Sequence, residues 1–314
     1  MIIESEKDVT KAVLSEYART KNPRLREILG ALVRHLHDFA REVKLTEHEF
    51  HTAMAYVVAL GQRSNETHNE AVLMAGSLGL SPLICLLNNG DNGKTETDAN
   101  MLGPFWRMDS PATPNGGSIM RSPTPGPTLF VDATFLDTAG KPVEGAEVDI
   151  WQSSPEGFYE NQDPLQAEMN LRGKFVTDSN GRISFRSVKP AGYPIPIDGP
   201  VGELLRAAGR HNMRPSHLHF LVYKPGFKTL ISQLYDPEDP HIETDVQFGV
   251  TRHLIGKYIR HDASERAPAA DVTVPWYSLA HTFVMERGEA RLPKPPISGK
   301  AEGERPQIPH LEAV

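Results

Sequence analysis

The feature that most constrains the fold is a change in the spacing of apolar residues near Gly103-Pro104. Before it, the apolar residues between Leu25 and Val43 recur every three or four positions, which is the period of one helical face. After it, "LFVDATFLD" alternates apolar and polar side chains, and Pro and Gly become frequent, as in strands joined by turns. We therefore expect a helical N-terminal part followed by an all-β part.

Helix-start signals divide the N-terminal part further. Thr46 and Glu49 match a capping box, in which a hydroxyl and a carboxylate each satisfy a free backbone amide. Thr67 and Glu70 match the same pattern, so a helix is expected to begin at each pair. Ser81-Pro82 is expected to cap a short helix, "LICLL", that ends at "NNGDNG".

The β part shows several short strands at regular intervals, separated by turn formers. The predicted strands after "LFVDATFLD" are "AEVDIWQ", "GRISFRSV", "HLHFLVYK", "TLISQLY" and "HTFVME". This spacing is typical of a β-sandwich. The predicted class is α+β, with a helical domain over residues 1–100, a sandwich domain over 101–290 and an extended C-terminal tail over 291–314.

Composition excludes several classes of protein. The net charge is −7 with no block of basic residues, so nucleic acid is not an expected partner. No apolar run has the length of a signal peptide or a membrane span, which predicts that the protein is not an integral membrane protein. Cys85 is the single cysteine, which excludes an intrachain disulfide and favours a reducing cytoplasm.

The stretch "RPSHLHFLVYKPGF" places two histidines on one face of a strand. His217 and His219 are two residues apart, so both side chains can reach one metal ion, although two ordinary half-buried histidines fit the pair equally well. Tyr159 and Tyr193 stand beside glycines in two turn-rich segments, "PEGFYENQDP" and "PAGYPIPIDGP". Each tyrosine alone is explained by loop packing, but two imidazoles and two phenols together indicate a metal site.

Four stretches of the chain resemble the intradiol ring-cleavage dioxygenases: "LGPFWR", "DIWQSSPEGFYENQ", "GYPIPIDGPVGELLRAAGRHNMRPSHLHF" and "PGFKTLISQLYDPEDPHIETDVQFGV". The likeness covers about residues 20–290. It implies one non-haem Fe(III) per chain, held by two tyrosinates and two histidines that correspond to Tyr159, Tyr193, His217 and His219. It also implies a β-sandwich catalytic domain and a homodimer through the N-terminal helices, often with a bound phospholipid.

The resemblance further implies how these residues act in opening an aromatic diol or triol with O2, a step of aromatic catabolism. Tyr193 is the ligand that leaves the iron and accepts a substrate proton, while Tyr159 stays bound. Arg214 stabilises negative charge on the ring, and Gln233 forms hydrogen bonds near the substrate oxygens. From the residues alone, Arg214 also fits a surface arginine, and Gln233 also fits a polar residue of an edge strand.

The substrate pocket is expected to be formed by the short helix, by the "LGPF" turn and by Arg214. The pocket residues implied by the family are Leu80, Leu83, Cys85, Leu102, Gly103, Pro104 and Phe105. "GPF", "DGPVGELL" and "DVQFGV" are more similar to hydroxyquinol than to catechol dioxygenases, which predicts cleavage of benzene-1,2,4-triol to maleylacetate. Hydroxyquinol enzymes tend to carry an acid in this helix, whereas "LICLL" has none. Catechols and chlorocatechols, cleaved to muconates, are therefore the alternative substrates.

Two other classes remain open from the residues. His241, Glu243 and His281 match the spacing of a facial triad, in which two histidines and one carboxylate hold Fe(II). The segment "PEDPHIETD" reads as a turn-rich loop, which disfavours that triad. A β-sandwich that binds a lipid or a protein without catalysis is the other alternative.

Overall fold

The computed structural model describes residues 2–66, 68–89, 97–262 and 265–313. Three helices come first: α1 (Glu6–Tyr17), α2 (Pro23–Glu42) and α3 (Glu47–Arg63). The helix predicted from Leu25 to Val43 is α2. It begins earlier because Asn22 accepts a hydrogen bond from the Leu25 amide (3.0 Å) and Pro23 fits the first helical position.

The capping box before α3 is present. The Thr46 amide and hydroxyl both donate to Glu49 Oε2 (2.8 Å each), and the Glu49 amide donates to Thr46 Oγ1 (3.3 Å). The spacing of apolar residues does not predict α1 as a separate helix. An ion pair between Arg41 Nε and Glu6 Oε2 (2.9 Å) joins it to α2. A helix held by exposed polar contacts leaves only a weak apolar pattern.

Two short helices follow, α4 (Glu70–Ser77) and α5 (Leu80–Asn89). α4 begins at the predicted Glu70, behind the capping residue Asn69; Thr67 lies outside the described residues. The prediction that Ser81 caps α5 is wrong, because the helix already begins at Leu80. Pro82 falls in the first turn, where no intrahelical N–H is needed. Most of the predicted turn "NNGDNG" also lies outside the described residues.

Ten strands, one further α-helix and one short 3-10 helix (Arg252–Leu254) make up the rest of the regular structure in the described residues. The strands are β1 (Thr128–Asp137), β2 (Glu147–Gln152), β3 (Arg172–Val176), β4 (Arg182–Val188), β5 (Tyr193–Pro194), β6 (Met213–Arg214), β7 (His217–Tyr223), β8 (Leu230–Tyr235), β9 (Tyr258–His261) and β10 (Trp276–Met285). The helix α6 (Pro200–Ala207) connects β5 to β6. The sequence missed β3, β5, β6, β9 and α6, and it placed the start of β10 too late.

The strands form two four-stranded sheets and one small ribbon. One sheet has the order β4-β1-β10-β9 and the other β3-β2-β7-β8, while β5 and β6 pair only with each other. β1 and β10 are parallel, and the other pairs within these sheets are antiparallel. Buried apolar residues from both large sheets form one core, as expected of a β-sandwich.

Strand β7 has one face in this core and the other face on the outside of its sheet. Leu218, Phe220 and Val222 belong to the core and are fully buried. His217 and His219 alternate with them and therefore project from the opposite face. The predicted alternation of β7 is confirmed.

By its internal contacts the chain forms two compact units, one up to Val58 and one from Ala59, and the second contains both sheets. The domain boundaries predicted at residues 100 and 290 stay predictions. Residues 291–313 contain no helix or strand. No single helix of the described residues is long and apolar enough to cross a membrane. One bent pair, Glu70–Ser77 with Leu80–Asn88, passes that test by length and composition but turns by 77°.

Candidate active site

The outer face of the β2-β7-β8 sheet aligns polar and aromatic side chains in two rows. Trp151 on β2 and Gln233 on β8 are the register partners of His219. Tyr235 is the register partner of His217. Side chains that are opposite in register lie on the same face, so the two histidines, Gln233 and Tyr235 converge on one place.

The two tyrosines reach this place from other elements. Tyr159 lies in the loop between β2 and β3, where its amide donates to Gln162 Oε1 (3.1 Å) and holds the loop turn. Tyr193 begins the short strand β5 and is the register partner of Arg214 on β6. Both phenol rings are buried, with exposed fractions of 0% and 2%.

The four side chains form one buried cluster, which we call the tyrosine–histidine cluster. The Tyr159 hydroxyl lies 3.4 Å from the Tyr193 hydroxyl and 3.0 Å from His219 Nε2. His217 Nε2 lies 3.4 Å from the Tyr159 hydroxyl and 3.1 Å from His219 Nε2. The structure thus brings together all four residues that the sequence nominated as ligands.

Both histidines of the cluster are neutral, so their rings keep a nitrogen lone pair that can bind a metal ion. His217 Nδ1 lies 2.6 Å from the carbonyl of Pro215 and must donate to it, so Nε2 of the neutral ring is the acceptor. Burial, reinforced by the nearby Arg214 cation, lowers the pKa of His217 to about 3. Burial also lowers the pKa of His219 well below its usual value, with further contributions from His217 and Arg214. Both rings are neutral at neutral pH.

The donor set fits a metal cation. Nitrogen and oxygen ligands about 2 Å from one ion lie roughly 3 Å from each other, which matches the distances in the cluster. Burial raises the pKa of Tyr159 well above its usual value in the protein alone. A buried phenolate is therefore unfavourable without a neighbouring cation, and a bound ion of high charge provides one.

A buried ion pair adjoins the cluster. Arg214 Nε and Nη2 donate to the two carboxylate oxygens of Asp245 (3.2 and 3.1 Å), and Nη1 lies 3.4 Å from His217 Nε2. Burial opposes both charges, but the pair outweighs it. Asp245 keeps the pKa of Arg214 well above its usual value, and Arg214 lowers the pKa of Asp245. A fixed positive charge thus stands beside the cluster.

Gln233 is held in place by three neighbours. Its Oε1 accepts hydrogen bonds from Arg214 Nη2 (3.2 Å) and from the Tyr235 hydroxyl, and its Nε2 donates to the carbonyl of Met101 (2.8 Å). Asn100 Nδ2 in turn donates to the Tyr235 hydroxyl (3.3 Å). β8 is an edge strand of its sheet, as the alternative interpretation had it, but the Gln233 side chain is fully buried beside the cluster.

The "LGPF" turn lies against the cluster. Phe105 stacks on Tyr159, with ring centroids 4.5 Å apart, and lies edge-on to Tyr193 at 6.4 Å. Gly103 has φ +72°, and a Cβ there would lie 3.4 Å from the His219 ring. Leu102 and Pro104 are half-buried in the same turn. A role of these four residues in binding a substrate stays a prediction.

The α5 residues nominated for the pocket are less buried. Leu80 and Leu83 are 51% and 52% exposed, and Cys85 is half-buried. Burial raises the pKa of the Cys85 thiol to about 11, so the thiol is protonated and weakly nucleophilic at neutral pH. The contribution of these three residues to substrate binding also stays a prediction.

The structure does not support the facial triad. In the described part of the chain, no group of three or more His, Cys, Asp or Glu side chains is placed to share a metal ion. His241 packs against His211 (centroids 4.9 Å apart), whereas His281 on β10 packs against Phe283 (4.6 Å). A site made of two phenols and two imidazoles remains.

Two family models match the chain. The dioxygenase model matches residues 103–280, and the model for the N terminus of catechol dioxygenases matches residues 22–96. The chain belongs to the intradiol ring-cleavage dioxygenases. It is therefore an enzyme of a family that uses non-haem Fe(III), which excludes the non-enzymatic alternative.

Individual relatives match this dioxygenase over most of its length. Hydroxyquinol 1,2-dioxygenase of Rhizobium sp. (strain MTP-10005) is 40% identical over 90% of this chain and 96% of its own. Catechol 1,2-dioxygenase of Candida albicans is 39% identical over 82% of this chain and 86% of its own. The crystal structure of hydroxyquinol 1,2-dioxygenase from Pseudomonas putida DLL-E4 superposes with a TM-score of 0.81 at 36% identity, over 90% and 99% of the two chains.

Sequence reasoning missed two residues of the site. Tyr235 lies two positions after Gln233, so the alternation of β8 places it on the same face and was a usable signal. Asp245 lies 31 residues from Arg214, in a segment without regular spacing. No local pattern reveals that pair, because the fold alone brings the two residues together.

Proposed function

We propose that this dioxygenase cleaves hydroxyquinol between its two adjacent hydroxylated carbons, and that catechol or a chlorocatechol is the alternative substrate. The proposal rests on the convergence of two phenol oxygens and two imidazole nitrogens, which are linked by four contacts of 3.0 to 3.4 Å. The extent of similarity to the hydroxyquinol enzymes of Rhizobium and Pseudomonas supports the choice of substrate.

We infer that Tyr159, Tyr193, His217 and His219 hold one Fe(III) per chain. Phenolates are hard anionic donors, and two of them favour the ferric over the ferrous ion. When bound, Fe(III) supplies a Lewis acid and an electron acceptor for the substrate's adjacent oxygens. The neutral imidazoles complete the site without adding charge.

In this proposal Tyr193 accepts a proton from a substrate hydroxyl, and Tyr159 remains a ligand throughout. β5 is only two residues long and pairs only with β6, so the backbone of Tyr193 belongs to neither large sheet. Tyr159 is instead stacked on Phe105. This difference in packing supports the assignment of Tyr193 as the base.

Arg214 stabilises negative charge that develops on the substrate ring, and Gln233 orients the substrate oxygens. Both side chains are buried and fixed by several hydrogen bonds, so they need little reorganisation during the reaction. Trp151 stacks on His219 at 4.5 Å and helps to exclude water from the site.

The lining of α5 favours the alternative substrates. An unpaired hydroxyl buried against Leu80, Leu83 and Cys85 costs about 1 to 3 kcal/mol, since none of these side chains is a strong hydrogen-bond partner. A catechol or chlorocatechol has no third hydroxyl to satisfy. The 39% identity to the catechol enzyme of Candida albicans also supports this second candidate.

We further infer that two copies of the chain associate through α2. Six apolar side chains share one helical face and are 46% to 55% exposed: Leu25, Ile28, Leu32, Leu36 and Phe39 on α2, and Val43 at its C-cap. We call this face the α2 stripe. An apolar stripe of this length in water is typical of an interface. A bound phospholipid and a cytoplasmic location stay predictions.

The colour of the protein tests the iron site. The iron-loaded enzyme is expected to be red to purple, because phenolate ligands transfer charge to Fe(III). Tyr159→Phe is expected to weaken and shift this absorption, because Tyr193 then remains as the single phenolate ligand, whereas Tyr223→Phe, at the far end of β7, keeps the wild-type band. A colourless enzyme that is fully active, or one active with zinc alone, contradicts the proposal.

Oxygen uptake tests the substrate. We expect kcat/KM for hydroxyquinol to exceed that for catechol by about tenfold, a difference of about 1.4 kcal/mol in transition-state binding. Chlorocatechols and pyrogallol are measured in parallel. A higher kcat/KM for catechol or a chlorocatechol contradicts hydroxyquinol as the preferred substrate and supports the alternative.

A further inference from the structure

The segment of residues 298–311, which we call the C-terminal strap, contains no helix or strand but is bound at several points. The Ala301 amide donates to the carbonyl of Asn161 (2.7 Å), two residues after Tyr159. The Leu311 amide donates to Asn212 Oδ1 (2.9 Å), and Asn212 Nδ2 donates to the carbonyl of Pro309 (3.0 Å). The strap therefore contacts segments that lead directly to the site.

Arg305 makes the strongest contacts of the strap. Its Nη2 lies 2.7 Å from a carboxylate oxygen of Asp163 and 2.7 Å from one of Glu156, and its guanidinium lies 5.6 Å from the centre of the Phe158 ring. These three partners all belong to the loop that carries Tyr159. Glu156 is half exposed, but the Asp163 side chain is fully buried.

The Asp163 carboxylate organises this loop. It accepts hydrogen bonds from the Leu165 amide (3.0 Å) and from Gln166 Nε2 (3.2 Å), and Gln166 Nε2 also donates to the carbonyl of Phe158 (3.1 Å). Burial raises the pKa of Asp163, but Arg305 and these donors outweigh it, so the pKa is lowered. Without Arg305, a buried negative charge loses its cation next to the Tyr159 backbone.

A cavity lies against one side of the loop. A cavity of about 310 Å³ lies between residues 161–162, which follow Tyr159, and residues 196–198, which follow Tyr193. Ala301 and residues 306–309 of the strap form its outer wall. On this side the cavity gives no packing support, so polar contacts such as the ion pair between Arg305 and Asp163 contribute more to holding the loop.

We propose that Arg305 is a positioning residue for the iron-binding phenolate, acting through Asp163 and the loop turn on Tyr159. This inference rests on the proposed function, because it takes Tyr159 as an iron ligand. Partners that orient a metal ligand typically change metal affinity or activity by 10- to 100-fold when removed. Arg305 contacts neighbours of Tyr159 rather than Tyr159 itself, so its loss is expected to lower kcat/KM by only about tenfold.

The test compares Arg305→Gln with Arg305→Lys in the full-length, iron-loaded enzyme. Arg291→Gln is the matched control, because Arg291 is an exposed arginine of the same C-terminal region whose ion pair is to Glu289 (2.6 Å). Arg305→Gln is expected to shift the phenolate-to-iron absorption band, to weaken iron retention against a chelator and to lower kcat/KM about tenfold. Arg305→Lys recovers part of each change, and Arg291→Gln stays within about twofold of wild type.

Two results overturn the positioning role. One is an Arg305→Gln enzyme with the wild-type band and kinetics. The other is an enzyme whose only change is a lower melting temperature, because a purely structural anchor does not move the absorption band. A wild-type enzyme without the band contradicts the iron site itself, so failure of the proposed function is seen in the wild type and failure of this inference only in the variants.

Discussion

Arg214 carries its charge inside the protein because Asp245 holds it through two hydrogen bonds. Removing either partner leaves a buried charge unpaired, which costs about 3 to 5 kcal/mol. A variant of this pair therefore disturbs folding and activity together. Tyr193 is a better single-residue probe, because loss of its hydroxyl removes no ion pair.

Tyr193→Phe is expected to keep the ferric colour, since Tyr159 still provides a phenolate, and to slow substrate deprotonation. The expected loss in kcat is about 100-fold or more, the contribution typical of a general base. Rapid-mixing absorption spectra with hydroxyquinol measure the deprotonation step. Tyr258→Phe is the control, because Tyr258 is a half-buried tyrosine whose hydroxyl donates to the Leu234 carbonyl. An unchanged rate for Tyr193→Phe contradicts the assignment.

Asp149 on β2 is expected to make the free energy of unfolding depend on pH. Burial raises its pKa to about 6, despite the Lys174 ammonium 3.8 Å away. The folded state thus favours the protonated carboxyl. Its contribution to stability is fully present below the unfolded pKa of about 4 and is lost as the pH rises through about 6. This one group lowers the free energy of unfolding by roughly 2 to 3 kcal/mol between pH 4 and pH 7.

Asp149→Asn is expected to flatten that part of the pH profile, because the amide does not titrate. Urea unfolding of the wild type and the variant at pH 5 and pH 7.5 measures the difference. Asp132→Asn, at an exposed carboxylate on β1, is the control and should keep the wild-type slope. Equal slopes for Asp149→Asn and the wild type rule out this account.

At the scale of elements, regular spacing decided what the sequence could predict. β1, β7 and β8 were found because one face is apolar and buried. β3 reads "RGKFV" and was missed, because it contains Arg172, a buried arginine that depends on Glu160 (2.7 Å) from the preceding loop. The same limit applies to the site: His-x-His is visible locally, whereas the partner of Arg214 is set by the fold.

Glu70 is expected to contribute to stability, because it joins α4 to α6. Its Oε1 accepts a hydrogen bond from the Val201 amide (2.8 Å) in the first turn of α6, and its other oxygen is paired with His68. Glu70→Ala removes a buried charged acceptor, so the free energy of unfolding should fall by about 1.5 to 3 kcal/mol. Glu70→Gln keeps an acceptor and should lose less in urea unfolding; equal losses contradict the role as a helix cap.

At the scale of the whole molecule, the α2 stripe is a long exposed apolar surface. Its six residues extend over eighteen positions, or about 27 Å of helix. α3 adds Phe50, Met54, Val57 and Val58, which are 45% to 57% exposed. Both helices thus present apolar side chains to water in a single chain, which favours association of two copies.

Leu32→Glu is expected to shift the protein from dimer to monomer, because it places a charge in the centre of the stripe. Sedimentation equilibrium measures the change over a range of concentrations. Arg34→Glu is the control, since Arg34 is exposed and lies on the opposite face of α2. A wild-type chain that is monomeric at all concentrations, or a Leu32→Glu dimer as tight as wild type, contradicts the inferred interface.

The supports of the four nominated ligands differ in stiffness. His217 and His219 share a seven-residue strand with neighbours on both sides, so the pleat of a large sheet fixes their separation. Tyr193 stands instead on a two-residue ribbon, and that ribbon continues into Pro194. A ligand on such a short ribbon can move out of the site and return without breaking a hydrogen bond between strands of either large sheet. Ligand exchange during turnover therefore need not destabilise the fold.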